Sequence, residues 1–205
     1  MQYISDDQIS YTFKIVILGE PGVGKTCLFN RYCFNSFSMN TDMTIGINFH
    51  SNYLQIKFNN GITNPQEDYS KNPKYVVNSI FDFGGQERFR PLLKNLLSGA
   101  AGALILFDSI RFSSFQQLEY WYDQIIEHVG DPSIPKILVA NKSDLLSKSS
   151  NAEIVDSKEI EKFMVSKKID TFFRVSALEN YNVLEVFKEL TNLMLRKQNV
   201  DAKII

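Results

Sequence analysis

The chain has 205 residues, 44% of them apolar, which is enough for one α/β domain with a full hydrophobic core. Its 22 basic and 23 acidic residues leave a formal net charge of −1, which excludes a dominant electrostatic attraction to nucleic acid or to an anionic membrane. The two cysteines, Cys27 and Cys33, fall on different faces of one predicted helix, so neither a mutual disulfide nor a zinc cluster is expected.

In chain order, residues 1–10 are polar and acidic and carry no signal-peptide pattern. Residues 13–18 form a near-continuous apolar run, as in a parallel strand buried on both faces. A glycine-rich turn over 19–24 leads into a helix over 25–34 that ends near Asn35. Residues 45–58 alternate as a long strand, and 75–83 return as its antiparallel partner. Between them, 59–73 collect Asn, Gly, Pro, Asp and Lys, an exposed hairpin insertion. Residues 100–107 and 136–140 are further buried strands and 171–175 the last; the run over 100–107 is too short to cross a bilayer. Phe115, Leu118, Tyr122, Ile125, Ile126 and Val129 recur at helical spacing, as do Val183, Val186, Phe187, Leu190, Leu193 and Met194, with a shorter helix over 157–165. Strands alternating with helices predict an α/β three-layer sandwich around a mostly parallel sheet, with ligands at the carboxyl ends of its strands. The end of the chain, 197–205, reads as a flexible tail. Position 2 is not glycine and the last residues hold no cysteine, so no lipid anchor is expected. A single domain over 1–205, monomeric and cytoplasmic, is the expectation.

Five clusters fall at those strand ends. Gly19, Glu20, Pro21, Gly22, Val23, Gly24, Lys25 and Thr26 form a G-x-x-x-x-G-K-T phosphate loop between strand and helix. Small residues let backbone N–H groups turn inward around phosphate oxygens at a helix N-terminus. Lys25 can bridge β- and γ-phosphates, and the Thr26 hydroxyl can ligate Mg²⁺. Asn141, Lys142, Ser143 and Asp144 follow a buried strand. The Asp144 carboxylate can accept from guanine N1–H and its amino group, donors that adenine lacks. Asp82, Phe83, Gly84, Gly85 and Gln86 follow the returning strand. Asp82 suits Mg²⁺ contact through water, the Gly85 amide a γ-phosphate, and Gln86 the orientation of an attacking water. Thr44 offers a further Mg²⁺ hydroxyl. Ser176, Ala177 and Leu178 follow the last strand, where the Ala177 amide can meet guanine O6.

With these motifs in order, the sequence resembles the small Ras-like GTPases, and most closely the Rab branch, over roughly residues 11–196. Thr44-Ile-Gly-Ile-Asn-Phe49 and Gly85-Gln-Glu-Arg-Phe-Arg90 are the Rab-like pieces. The resemblance implies a six-stranded sheet with one antiparallel edge hairpin and five helices. It implies a switch I over 35–46, a switch II over 83–97, and Phe37 edge-on against the guanine. Cys27 joins the nucleotide-binding set. GTP and Mg²⁺ would hold Thr44 and Gly85, and hydrolysis to GDP, assisted by Gln86 and Lys25, would release both loops. Turnover would be slow, because no cis arginine is evident and position 41, where G-protein α-subunits carry theirs, is Thr41. Effectors, exchange factors and GTPase-activating proteins are the implied partners.

Four departures stand out. Pro21 replaces the usual glycine or serine and crowds the space an arginine finger would use. Gly84 replaces the common alanine, an extra freedom expected to loosen switch II. Phe81, Leu96 and Leu97 replace the aromatic patch that faces Rab effectors, and the terminal cysteine is missing. The alternatives are a guanine-nucleotide-dependent binding module with little or no hydrolysis, and an ATP-using enzyme, which would leave Asn141 and Asp144 without a role.

Overall fold

The computed structural model describes residues 4–39, 43–58, 73–149, 154–169 and 171–205. Position 41 and the expected insertion, Pro73 apart, lie outside the described residues.

The sheet is built around β1 (Ile9–Gly19). Ile15 and Ile17 enter the core on one face while Val16 and Leu18 enter it on the other, all four fully buried, so the strand reads as an unbroken apolar run. β1 pairs in parallel with β3 (Lys74–Phe83) on one side and with β4 (Gly102–Asp108) on the other. β5 (Lys136–Asn141) and β6 (Thr171–Arg174) extend the parallel sheet beyond β4. β2 (Ile47–Phe58) runs antiparallel to β3, from Ile47 opposite Phe83 to Ile56 opposite Lys74. Because the strands beside β1 on either side come later in the chain, the loop after β1 opens at a topological switch point.

α1 (Lys25–Phe34) and α6 (Val183–Lys197) cover one face, burying Leu28, Val186, Phe187 and Leu190, with Tyr32 stacked on Phe187 at 3.8 Å. α2 (Leu93–Leu97), α3 (Phe112–Gln116), α4 (Leu118–His128) and α5 (Ser157–Lys167) lie on the other, with Leu93, Trp121, Ile125 and Ile160 in the core. Gln117 between α3 and α4 keeps right-handed helical torsions. The two segments therefore count as one unit, giving the expected five among the described residues. In α4 the expected apolar stripe is rotated slightly: Trp121 takes a fully buried place, while Ile126 is partly exposed.

Two expectations are corrected by the last residues. Among the described residues the sheet has seven strands rather than six, and 197–205 is not simply a tail. β7 (Ala202–Ile204) pairs antiparallel with the far end of β2, Ile56 opposite Ile204 and Phe58 opposite Ala202, so the order is β6-β5-β4-β1-β3-β2-β7. Ala202 and Ile204 are buried, and Ile204 N–H donates to Asn192 Oδ1 of α6 at 2.9 Å. Alternation over so few residues is too weak a pattern to read in sequence, and the strand gains its partners only once β2 has formed an edge. Ile204→Asp should lower the thermal midpoint by about 5 °C, the equivalent of roughly 2 kcal/mol of lost burial in a domain of this size. Nucleotide affinity should be unchanged, because β7 meets β2 about 30 Å from the end that carries the site; an unchanged midpoint in a thermal melt would show that the strand contributes no stability.

Candidate functional site

The phosphate loop connects β1 to α1. Lys25 is buried, and its Nζ donates to the carbonyls of Gly19 at 2.8 Å and Glu20 at 2.9 Å. Burial pushes its pKa down to about 8, against the pull of the Asp82 and Glu20 carboxylates. A small cleft of about 90 Å³ lies between this loop and the segment Phe83, Gly84, Gly85 and Gln86. The Glu20 side chain is engaged elsewhere: its Oε1 accepts from Trp121 Nε1 at 3.0 Å and lies 4.0 Å from Arg90, whose guanidinium sits over the Tyr120 ring. Glu20 therefore has its backbone to offer a ligand. Arg111, on the loop after β4, donates from Nη2 to the Pro21 carbonyl at 2.7 Å.

At the end of β3, Asp82 gathers the expected metal residues. Thr26 Oγ1 donates to Asp82 Oδ2 at 2.7 Å, Asn48 Nδ2 donates to the same oxygen at 2.9 Å, and the Thr26 and Thr44 hydroxyls are 2.5 Å apart. Asp82 is fully buried, and its Oδ1 has no hydrogen-bond partner among the described residues. Burial raises its carboxyl pKa, opposed by the bonds from Thr26 and Asn48. A buried carboxylate oxygen left unpaired beside two hydroxyls is a hard-oxygen set short of positive charge, which fits Mg²⁺.

The base side is organised by Asn141 and Asp144. Asn141, buried at the end of β5, donates from Nδ2 to the Val23 carbonyl at 2.8 Å, which ties this turn to the phosphate loop. Lys142 follows in the left-handed region at φ +61°, with its Nζ 2.7 Å from Asp108 Oδ2. Asp144 Oδ1 accepts from Ser176 Oγ at 2.6 Å. A cleft of about 440 Å³, the size of a small-molecule site, is lined by Cys27, Phe37, Lys142, Asp144, Ala177 and Leu178. Arg31 braces it: Nε donates to the Ala177 carbonyl at 2.8 Å, Nη1 to the Asn35 carbonyl at 3.1 Å, and the guanidinium lies 6.0 Å from the Phe37 ring centre.

The two switch segments meet through backbone. Gly84 N–H donates to the Gly46 carbonyl at 3.1 Å, and a Cβ at Gly84 would lie 2.5 Å from the Thr44 carbonyl and 3.2 Å from the Phe89 ring. The glycine therefore supplies room for a close approach between the two segments. Phe49 and Phe81 pair at 4.9 Å, with Phe49 exposed, whereas Leu96 and Leu97 are buried in the core.

All the nucleotide and metal residues expected from the sequence thus line the two clefts or bond to residues that do. Arg31, Asp108, Arg111 and Trp121 were not legible as site residues, because each acts through another residue and belongs to no contiguous motif. Arg111 also bears on the expected lack of a cis arginine: it reaches the phosphate loop, at the Pro21 carbonyl.

Fold and site together define a P-loop protein whose turn after β5 lines a second cleft beside the phosphate loop. Residues 14–196 match the profile described as the Ras family. The chain is 34% identical to the Ras-related protein RIC2 of Oryza sativa subsp. japonica over 98% of this chain and 84% of the relative. It is 34% identical to the Ras-related protein RABA1c of Arabidopsis thaliana over 92% and 77%, and 32% identical to the Ras-related protein Rab11E of Lotus japonicus over 98% and 84%. The chain belongs to the Ras family and is a Rab-like small GTPase, a GTP hydrolase. Among the described residues, no helix is long and apolar enough to cross a membrane.

Proposed function

We propose that the chain is a Mg²⁺-dependent GTP switch that turns over slowly on its own and controls effector binding through the loops around Thr44 and Gly85. The observation that carries this is the joint placement of Lys25, Thr26, Thr44 and Asp82 at one end of the sheet, beside the cleft that holds Asp144. Thr26 and Thr44 would hold Mg²⁺ directly and Asp82 through water; when bound, the ion neutralises charge on the β- and γ-phosphates. Lys25 supplies a fixed cation to the same phosphates. Gln86, at the cleft wall, orients the attacking water. Asp144 reads the base, Phe37 covers it, and the Gly22, Val23 and Gly24 amides grip the phosphate tail. The protein works as a cytoplasmic monomer that meets effectors, exchange factors and activating proteins through the switch loops.

Pro21 favours a second reading, a guanine-nucleotide-dependent binding module with little hydrolysis. A single-turnover assay on protein loaded with GTP separates the two. The switch reading expects slow, Mg²⁺-dependent conversion to GDP that chelation stops, and GDP or GTP rather than an adenine nucleotide on protein purified without added ligand. GTP that stays intact over hours leaves the binding module, and a bound adenine nucleotide removes both.

A further inference from the structure

A trans peptide carries its carbonyl and its N–H on opposite sides of one plane. The Pro21 carbonyl and the Gly22 amide share such a plane, so whatever fixes the oxygen fixes where the hydrogen points. Arg111 Nη2 donates to that oxygen at 2.7 Å, a charge-assisted bond. Its other terminal nitrogen lies beside Gly22, where an added Cβ would meet Nη1 at 3.4 Å. Gly22 sits at φ +76°, a region open to glycine, and proline restrains its own φ but not the ψ through which this peptide would turn over. Pro21 has no N–H, so the Gly22 amide is the first that the turn can present after Glu20.

The loop carrying Arg111 is itself fixed. The Arg111 carbonyl accepts from Ser114 Oγ at 2.7 Å, and Ser114 Oγ accepts from Asp108 N–H at 3.0 Å. Asp108 pairs with Lys142, and Ser109 Oγ donates to the Asn141 carbonyl at 2.6 Å. One short segment, 108–111, is thus anchored on the guanine-selecting turn and reaches the phosphate loop through a single guanidinium.

We propose that Arg111 is a positioning residue that locks the Pro21–Gly22 peptide with its N–H turned toward the nucleotide's phosphates. The role rests on the guanine-nucleotide reading above. Without the lock the peptide is free to present its carbonyl, a partial negative charge, to the phosphates. The loss falls on the phosphate tail and spares the base.

The test is competition of GDP and GMP against a fluorescent GDP analogue, on the full chain and on Arg111→Gln and Arg111→Lys. The two ligands share the guanine and differ in the β-phosphate. Arg111→Gln should lower the GDP-to-GMP affinity ratio about tenfold, the worth of one charge-assisted hydrogen bond. Arg111→Lys, which keeps the charge and loses the fork, should recover part of it, and it carries the test if the glutamine variant does not fold. GDP and GMP weakening in parallel would mean a merely structural role, and an unchanged GDP affinity would mean none; either overturns the proposal. A parent chain that binds neither nucleotide overturns the guanine reading itself, and this role with it.

Discussion

Asp144→Asn should weaken GDP binding about a thousandfold and move preference toward xanthosine diphosphate. On the proposed reading the carboxylate would offer two charged acceptors to the N1–H and amino group of guanine, each such bond contributing about 1.5–3 kcal/mol. Asparagine keeps one oxygen, which can still accept from Ser176 Oγ, so the turn between β5 and α5 should survive the substitution. Its amide nitrogen, however, donates where guanine also donates. Xanthine carries an oxygen in place of the amino group and restores the match. Calorimetry with GDP, ADP and xanthosine diphosphate measures the change directly, and undiminished discrimination between GDP and ADP would defeat the assignment of Asp144.

Gln86→Leu should slow single-turnover GTP hydrolysis roughly a hundredfold while leaving GDP affinity unchanged, the usual scale for losing a group that positions a proton-transferring water. Leucine matches glutamine in size, so the cleft beside Gly85 keeps its shape and only the amide is lost. Because Lys25, Thr26 and Asp82 are untouched, binding and Mg²⁺ dependence should persist. A hydrolysis rate equal to that of the parent chain would place the water under another residue's control.

Much of this site is written in contiguous motifs, because cradling phosphate and reading a base both demand fixed residue types at strand ends. Gly19 to Thr26 and Asn141 to Asp144 could be located without coordinates for that reason. The sheet was legible too, since β1, β4 and β5 are buried on both faces and read as continuous apolar runs. What escaped was contact between distant segments. Arg31 reaches Ala177 across 146 positions, Trp121 reaches Glu20 across 101, and Arg111 reaches Pro21 across 90. None of these pairings has a local signature. β7 escaped for a similar reason, its partner edge being created by β2 far earlier in the chain. The close approach at Gly84 escaped as well, since sequence tells what a glycine permits and not whether its surroundings use freedom or space.

The meeting of Gly84 with Thr44 and Gly46 also affects how a signal would leave the site. Two segments joined main chain to main chain, with no flexible group between them to absorb a displacement, act as a single lever. Release of Thr44 would then carry the stretch after Asp82 with it, and a partner touching either segment would read the state of both.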